Sequence, residues 1–274
     1  EIREGRGTER ETFLLDMRDA LKNDPEYIHM ANLKTIFKEK GINPWEEPVE
    51  TAPQAHTTIG GIRINTRCET NVPGLYAAGA VAGGVYGLAR PEGYTSMITL
   101  VYGRRAGLFA AEGAQQVKNP TLDKSVVQQS QEKASSLVDN TSGSEPEDVK
   151  DQIRSSMRRN AWVIKDENGL TDGLKEIQRI RTDHPTLVAK DGFGWARAVE
   201  VPNMLLNAEL MLIGSIKRKE SRGAFFRDDY PETDNENWLK TIIYKQINSK
   251  LDLTVSPIDL KYIGLESRST VNRV

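Results

Sequence analysis

The feature that most constrains this chain is a crowd of glycines between an apolar run and a long amphipathic segment. Leu75-Tyr76-Ala77-Ala78 reads as a strand that stops at Gly79, and Gly83, Gly84, Gly87 and Gly93 follow it. An apolar-periodic segment then begins near Thr95. Strand, glycine-rich turn and helix together let a backbone approach a ligand closely and aim the N–H groups of a helix N-terminus at it. Glycine serves there because a Cβ would block the approach. Upstream, His56 precedes the turn at Gly60-Gly61, and Ile62 to Asn65 carries a short β-pattern. Arg90 stands among the glycines. Taken alone, the spacing is as much that of an ordinary loop in an α/β domain as of a ligand site.

Composition narrows the classes. A chain of 274 residues can bury the core of one large domain or two smaller ones. A net charge of −2 argues against a nucleic-acid footprint. No run reaches the apolar length of a membrane span, and no signal peptide is expected. Cys68 is the only cysteine, so no disulfide framework, thiolate cluster or iron–sulfur site is expected within the chain, and a reducing, cytoplasmic setting fits. The chain begins at Glu1 and reads as a piece of something longer. Its histidines, His29, His56 and His184, lie far apart and lack metal-ligand spacing, so no metal is expected. His29, between Ile28 and Met30, reads as a half-buried packing residue, and His184, between Asp183 and Pro185, as a surface one. His56 differs in that the following Gly-Gly turn would hold its ring in place, although a lone histidine is usually structural.

Helical periodicity organises the remainder. Phe13, Leu14, Met17 and Leu21 predict a helix over 11–22, and Leu33, Ile36 and Phe37 another over 31–40. A single long helix is expected from Thr95 to Val117, with Met97, Ile98, Leu100, Val101, Leu108 and Phe109 on its apolar face. Residues 119–147 are polar and read as a linker with room for a short helix. Then Ile153, Met157, Ala161 and Ile164 line one helix face, and Leu170, Leu174, Ile177 and Ile180 the next. A third helix is expected from Trp195 to Lys217, with Pro202 near its start. Three helices with short connections make an antiparallel bundle. Ile242-Ile243-Tyr244 reads as a strand in the tail.

The wording of the glycine stretch is more specific than its spacing. It resembles the C-terminal flavin-binding segment of the fumarate reductase/succinate dehydrogenase flavoprotein family, which reads approximately H-Y-x-x-G-G, P-G-L-Y-A-x-G-E, H-G-A-N-R-x-x-x-N-S-L and V-x-G-R-x-A-G. The matches are His56, Gly60, Gly61, Pro73 to Ala77, Gly79, Gly87, Arg90, Val101 and Gly103 to Gly107. A second match is Glu220 to Lys240, ESRGAFFRDDYPETDNENWLK, against E-S-R-G-A-H-x-R-x-D-x-P and D-D-x-N-W-L. Arg158-Arg159-Asn160 and the opening EIREGRG also look like the family.

The resemblance implies a fold of class α/β plus α: residues 1–54 as the end of a capping domain, 55–118 as the C-terminal part of a Rossmann-like FAD-binding domain, 119–147 as linker, 148–225 as a three-helix bundle domain and 226–274 as a tail with short strands. It implies FAD as cofactor and hydride transfer between flavin N5 and a C4 dicarboxylate. His56 and Arg90 match the residues that clamp a substrate carboxylate. Thr57, Gly79, Ala80, Arg90, Thr95, Ser96 and Thr99 fall where the family lines the ribityl chain and isoalloxazine ring. The proton-donating arginine would lie upstream of Glu1; Arg3 and Arg6, tempting substitutes, read as surface arginines on a turn. The partners implied are the N-terminal half of the flavoprotein, which carries the G-x-G-x-x-G absent here, and an iron–sulfur subunit. The setting implied is cytoplasmic, or peripheral on that face of a membrane through partner subunits. The alternatives are a soluble oxidase of the L-aspartate oxidase type and a non-catalytic interaction fragment.

Several positions depart from the family pattern. Thr57 replaces a tyrosine, Ala80 the glutamate that contacts the ribityl hydroxyls, Tyr86 a histidine, Ala89 an asparagine and Glu92 a glycine. Tyr94-Thr95-Ser96 stands for N-S-L, and Phe225 for another histidine. By that resemblance, Tyr86, Ala89 and Glu92 reshape the substrate side of the loop.

Overall fold

The computed structural model describes residues 7–9, 12–23, 31–88, 93–118, 121–136, 140–248 and 250–260. Arg3, Arg6, His29, Ala89, Arg90 and Glu92 lie outside the described residues. The chain divides into two compact units, 1–57 and 58–274.

In the first unit the single helix expected over 11–22 is replaced by a strand and a shorter helix. Strand β1 (Phe13–Leu15) pairs antiparallel with β2 (Val49–Thr51), Phe13 opposite Thr51. Thr8 and Thr12 hydroxyls both donate to the Glu50 carboxylate, at 3.1 and 2.6 Å. The contiguous apolar Phe13-Leu14-Leu15 gains ladder bonds in this pairing that its partial helical period could not offset. Helix α1 (Arg18–Asn23) follows, with Leu21 buried. The Asp16 carboxylate accepts from Arg18 N at 3.1 Å and from its guanidinium at 2.9 and 2.6 Å, and those bonds hold its pKa down to about 2. Helix α2 (Ala31–Glu39) forms where the periodicity predicts it.

The second unit opens on β3 (Ile62–Arg63), which pairs parallel with β4 (Ala82–Gly83). The two backbones touch at a pair of glycines: a Cβ on Gly83 would lie 2.7 Å from the Gly61 carbonyl oxygen, and one on Gly61 would run into the Val81 carbonyl. The strand expected at 75–78 reduces to one bridge, Tyr76 opposite Glu69, closed by Ala77 N–H to Cys68 O and Thr70 N–H to Leu75 O, both 3.0 Å. A strand needs a continuous partner, and 75–78 finds only this short hairpin among the described residues.

Helix α3 (Tyr94–Gln116) then runs its full expected length. It braces the 65–69 turn: Arg67 lies 4.1 Å over the Phe109 ring and 2.9 Å from Glu112, and Arg105 donates to the Thr66 carbonyl. Within the polar stretch 119–147 lies α4 (Lys124–Ser135), capped by Asp123.

The main core belongs to α5 (Pro146–Asn160), α6 (Glu167–Asp183) and α7 (Gly192–Lys217). Val149, Ile153, Leu170, Ile177, Ile180, Ala198, Val201, Leu205, Ala208 and Leu212 are buried together there, and Gly173 brings α6 close to Asn160 and Leu212. Helix α7 begins at Gly192 rather than Trp195, because Asp191 accepts from Gly194 N–H at 2.6 Å and caps it. Pro202 lies inside this helix. Two other expectations need correction. Ile164 is not on the α5 face: it is half exposed in β5 (Ile164–Lys165), paired parallel with β6 (Phe226–Arg227). His184 is half-buried, its Nδ1 2.6 Å from the Ser144 hydroxyl and its Nε2 3.3 Å from Gln152, so it ties the end of α6 to the segment entering α5.

After α8 (Asn235–Trp238) the tail forms the hairpin β7 (Lys240–Ile247) and β8 (Lys250–Pro257), Tyr244 opposite Leu253. It docks on α7 through Tyr244, whose hydroxyl donates to Leu210 O at 2.8 Å and whose pKa burial pushes up to about 12.

Candidate functional site

The glycine stretch folds into a turn facing the start of α3. Gly79 opens a single 3-10 turn, Gly79–Val81, at φ 72°, a left-handed conformation that a Cβ disfavours. Its nearest neighbour is the Thr99 side chain, 3.8 Å from where that Cβ would be. Thr99 belongs to the second turn of α3, so the 3-10 turn and the beginning of the helix pack together. The N-cap of α3 is Gly93 at φ 76°, with no side-chain cap, and its first turn carries no acidic residue. The N-terminus of a long helix carries the positive end of its dipole.

Tyr86 adds a second observation. It is buried, its ring meets Tyr94 edge-on at 6.4 Å between centroids, and its hydroxyl is the buried side-chain polar atom without a hydrogen-bond partner among the described residues. A buried hydroxyl left unpaired costs free energy, which marks it as a place where a group from outside these residues is expected. Gly79 is buried, Ala80 and Ser96 are exposed, and Thr95 is half-buried. His56 and Thr57 are exposed and belong to the first unit, whereas Gly79, Ala80, Thr95, Ser96 and Thr99 belong to the second. The structure thus brings Gly79 and Thr99 into contact. Arg90 is outside the described residues.

Sequence reasoning gave no role to a second constellation, at 218–234. Glu220 is wholly buried and accepts from Arg222 Nε and Nη2 at 3.0 and 2.8 Å, from Arg218 Nη1 and from Asp234 N–H at 3.0 Å. Arg227 is wholly buried as well; its guanidinium donates to Asp229 at 2.7 and 2.5 Å, to Glu167 at 2.8 Å and to the Ser215 carbonyl at 2.6 Å. The guanidinium in turn holds the Asp229 carboxyl below its ordinary range. The available signal was the charge density of ESRGAFFRDD itself, since side chains of both signs this close in sequence can bury only by pairing.

Comparison with known proteins settles what this architecture belongs to. Residues 150–270 match the family model described as fumarate reductase flavoprotein C-term, and residues 8–96 match the one described as FAD binding domain. The chain is 31% identical over 259 residues to a fumarate reductase (CoM/CoB) subunit of Methanothermobacter marburgensis, covering 92% of this chain and 46% of that protein. The chain belongs to the fumarate reductase/succinate dehydrogenase flavoprotein family. The mitochondrial succinate dehydrogenase [ubiquinone] flavoprotein subunit of Oryza sativa subsp. japonica is 28% identical over 302 residues, covering 98% of this chain and 46% of that protein. Among solved structures, the Mycobacterium smegmatis Sdh1 complex in the apo form superposes with a TM-score of 0.80 at 25% identity, over 93% of this chain and 45% of that chain. A quinol-fumarate reductase with menaquinol molecules superposes with 0.79 at 24% identity, over 90% and 44%, which speaks to the fold alone. The chain spans less than half the length of the relatives it matches. FAD is the cofactor these matches indicate, and oxidoreductase the class.

The residues present fit that cofactor. A glycine-capped helix N-terminus beside a left-handed glycine turn suits close approach of a flavin, and the unpaired Tyr86 hydroxyl leaves a polar group to satisfy. Ala80 brings no hydrogen-bonding side chain to the turn. No helix among the described residues is long and apolar enough to cross a membrane, and no cluster of His, Cys, Asp and Glu among them could hold a metal ion.

Proposed function

We propose that this chain is the C-terminal part of the FAD-containing catalytic subunit of a fumarate reductase or succinate dehydrogenase-like enzyme that works on a C4 dicarboxylate. The observation that carries the reading is the glycine-capped start of α3 packed through Thr99 against the Gly79 turn. FAD, when bound, supplies the hydride chemistry at N5. Gly79, Ala80, Thr57, Thr95, Ser96 and Thr99 would line its ribityl chain and ring, and the N–H groups of α3 would favour negative charge at the ring's pyrimidine end. Arg90 and His56 would bind one substrate carboxylate and stabilise the charge that develops as the activated C–C bond changes order. The ADP moiety would be held by a preceding segment, since no strand–G-x-G-x-x-G–helix lies within this chain. Partner subunits carrying iron–sulfur clusters would pass the electrons on and would keep the protein peripheral to the membrane on its cytoplasmic side.

Arg90→Lys tests the reading, because it keeps the charge and loses the planar donor fork. In the flavoprotein that contains this chain, bound flavin should stay near normal, while kcat/KM falls by roughly two orders of magnitude, the scale of one charge-assisted contact in a dry site. Unchanged efficiency on a dicarboxylate would remove Arg90 from the site and the substrate class with it.

A further inference from the structure

We propose that the turn Arg222-Gly223-Ala224-Phe225 is a positioning element of the site, holding residues 84–88 and, through them, the segment that carries Arg90. The inference rests on the reading of Arg90 as the carboxylate clamp. The decisive contact is a backbone hydrogen bond, from Ala224 N–H to Leu88 O at 2.9 Å. Leu88 lies two residues before Arg90 in sequence, so what holds its carbonyl acts on the backbone leading to that arginine.

The turn is held by its own backbone bonds and flanked on both sides by buried charge. Arg222 and Phe225 close it in both directions, N–H to O at 2.8 Å and at 3.0 Å, with Gly223 at φ 56°. On one side Arg222 forks onto the wholly buried Glu220, which Arg218 also holds; Arg218 donates further to Trp238 O at 3.0 Å and Lys240 O at 2.6 Å. On the other side Phe226 pairs with Ile164, and Arg227 spends its donors on Asp229, Glu167 and Ser215 O. Ser221 joins the two halves: its hydroxyl donates to Tyr230 O at 2.8 Å and accepts from Arg227 N–H at 2.9 Å. Burying ions costs free energy that apolar packing of the same volume would not, so the cluster contributes geometry more than stability. Its exposed tip, Gly223-Ala224, is where that geometry is delivered: to the glycine-rich loop.

The test uses the flavoprotein containing this chain. Ala224→Pro removes the N–H that reaches Leu88 and leaves every charged side chain in place; Arg222→Ala and Arg222→Lys loosen the turn from the other side. Bound FAD, amide exchange across 84–92 and the Kd of malonate, read from the flavin absorbance, are measured. Malonate probes the carboxylate site without turnover, because it lacks the C–C bond that would be oxidised. FAD content should stay near wild type, exchange across 84–92 should quicken, and the malonate Kd should rise about tenfold, about 1.4 kcal/mol, with Arg222→Lys between wild type and Arg222→Ala. Unchanged exchange in Ala224→Pro and Arg222→Ala would overturn the proposal, and so would faster exchange with unchanged malonate affinity. If wild-type protein binds no malonate while exchange still quickens in the variants, the bracing stands and the dicarboxylate reading falls.

Discussion

Replacing Gly173 by alanine sets two physical effects of known size against each other. Alanine favours a helix interior over glycine by up to about 1 kcal/mol. At Gly173 of α6, though, the new methyl would lie 2.7 Å from Asn160 Cβ and 3.1 Å from Leu212 Cδ2, where the helices of the bundle converge. Carbon pairs prefer about 3.5–4.0 Å, so two contacts are each short by several tenths of an ångström or more. The Leu212 methyl can rotate, but Asn160 Cβ is fixed to the last residue of α5, and its amide is engaged with Glu176 at 3.1 Å. Relief therefore needs a movement of the α5 end, and overpacking of this kind costs about 1–3 kcal/mol. The steric term wins: Gly173→Ala should destabilise by about 1–2 kcal/mol net. Gly169→Ala in the same helix is the control, since its nearest contacts are ordinary at 3.4 and 3.5 Å, and it should be neutral or stabilising. Urea unfolding followed by far-UV circular dichroism reads both. Equal or greater stability in Gly173→Ala would refute the packing described for the three helices.

Other consequences can be checked alongside. Tyr244 titrates near 12 when docked and near 10 when free, so its folded-state pKa is raised; the stability it contributes is complete below pH 10 and is lost as pH rises through about 12. Between those values wild type should lose more stability than Tyr244→Phe, and parallel curves would mean the hydroxyl is not buried on α7. Arg227→Met should cost about 3 kcal/mol, toward the low end for breaking a buried ion pair, because Glu167 and Asp229 keep access to water; a loss under about 1 kcal/mol would show the cluster to be dispensable. Limited proteolysis should cut within 119–147 before α5 to α7, and first cuts within 192–217 would contradict the bundle.

The bundle was legible because its helices are amphipathic in the plainest way: Leu170, Ile177 and Ile180 face one core at a period that survives folding. Its exact start was not, since Asp191 sets it through a cap rather than through hydrophobicity. The strand at Phe13–Leu15 and the missing strand at 75–78 fail for one reason. Short apolar runs take their state from the partner they find, and β1 finds β2 while 75–78 finds only a bridge. Near the proposed site, the left-handed glycines could be read from residue type, because positive φ favours glycine. The Ala224 to Leu88 bond could not, since a backbone hydrogen bond between segments more than a hundred residues apart leaves no mark on composition. Nor could the unpaired Tyr86 hydroxyl, whose meaning depends on what surrounds it.

The most direct test of the family's chemistry in this protein is a single-turnover reoxidation. The flavoprotein containing this chain is reduced without oxygen, freed of excess reductant and mixed with fumarate, and the flavin absorbance and the succinate formed are followed together. If the chain forms part of a dicarboxylate-reducing site, the absorbance should return as succinate appears, one molecule for each flavin, and Arg90→Lys should slow that return. Flavin that stays reduced with fumarate yet reoxidises at once with a small inorganic oxidant would contradict it.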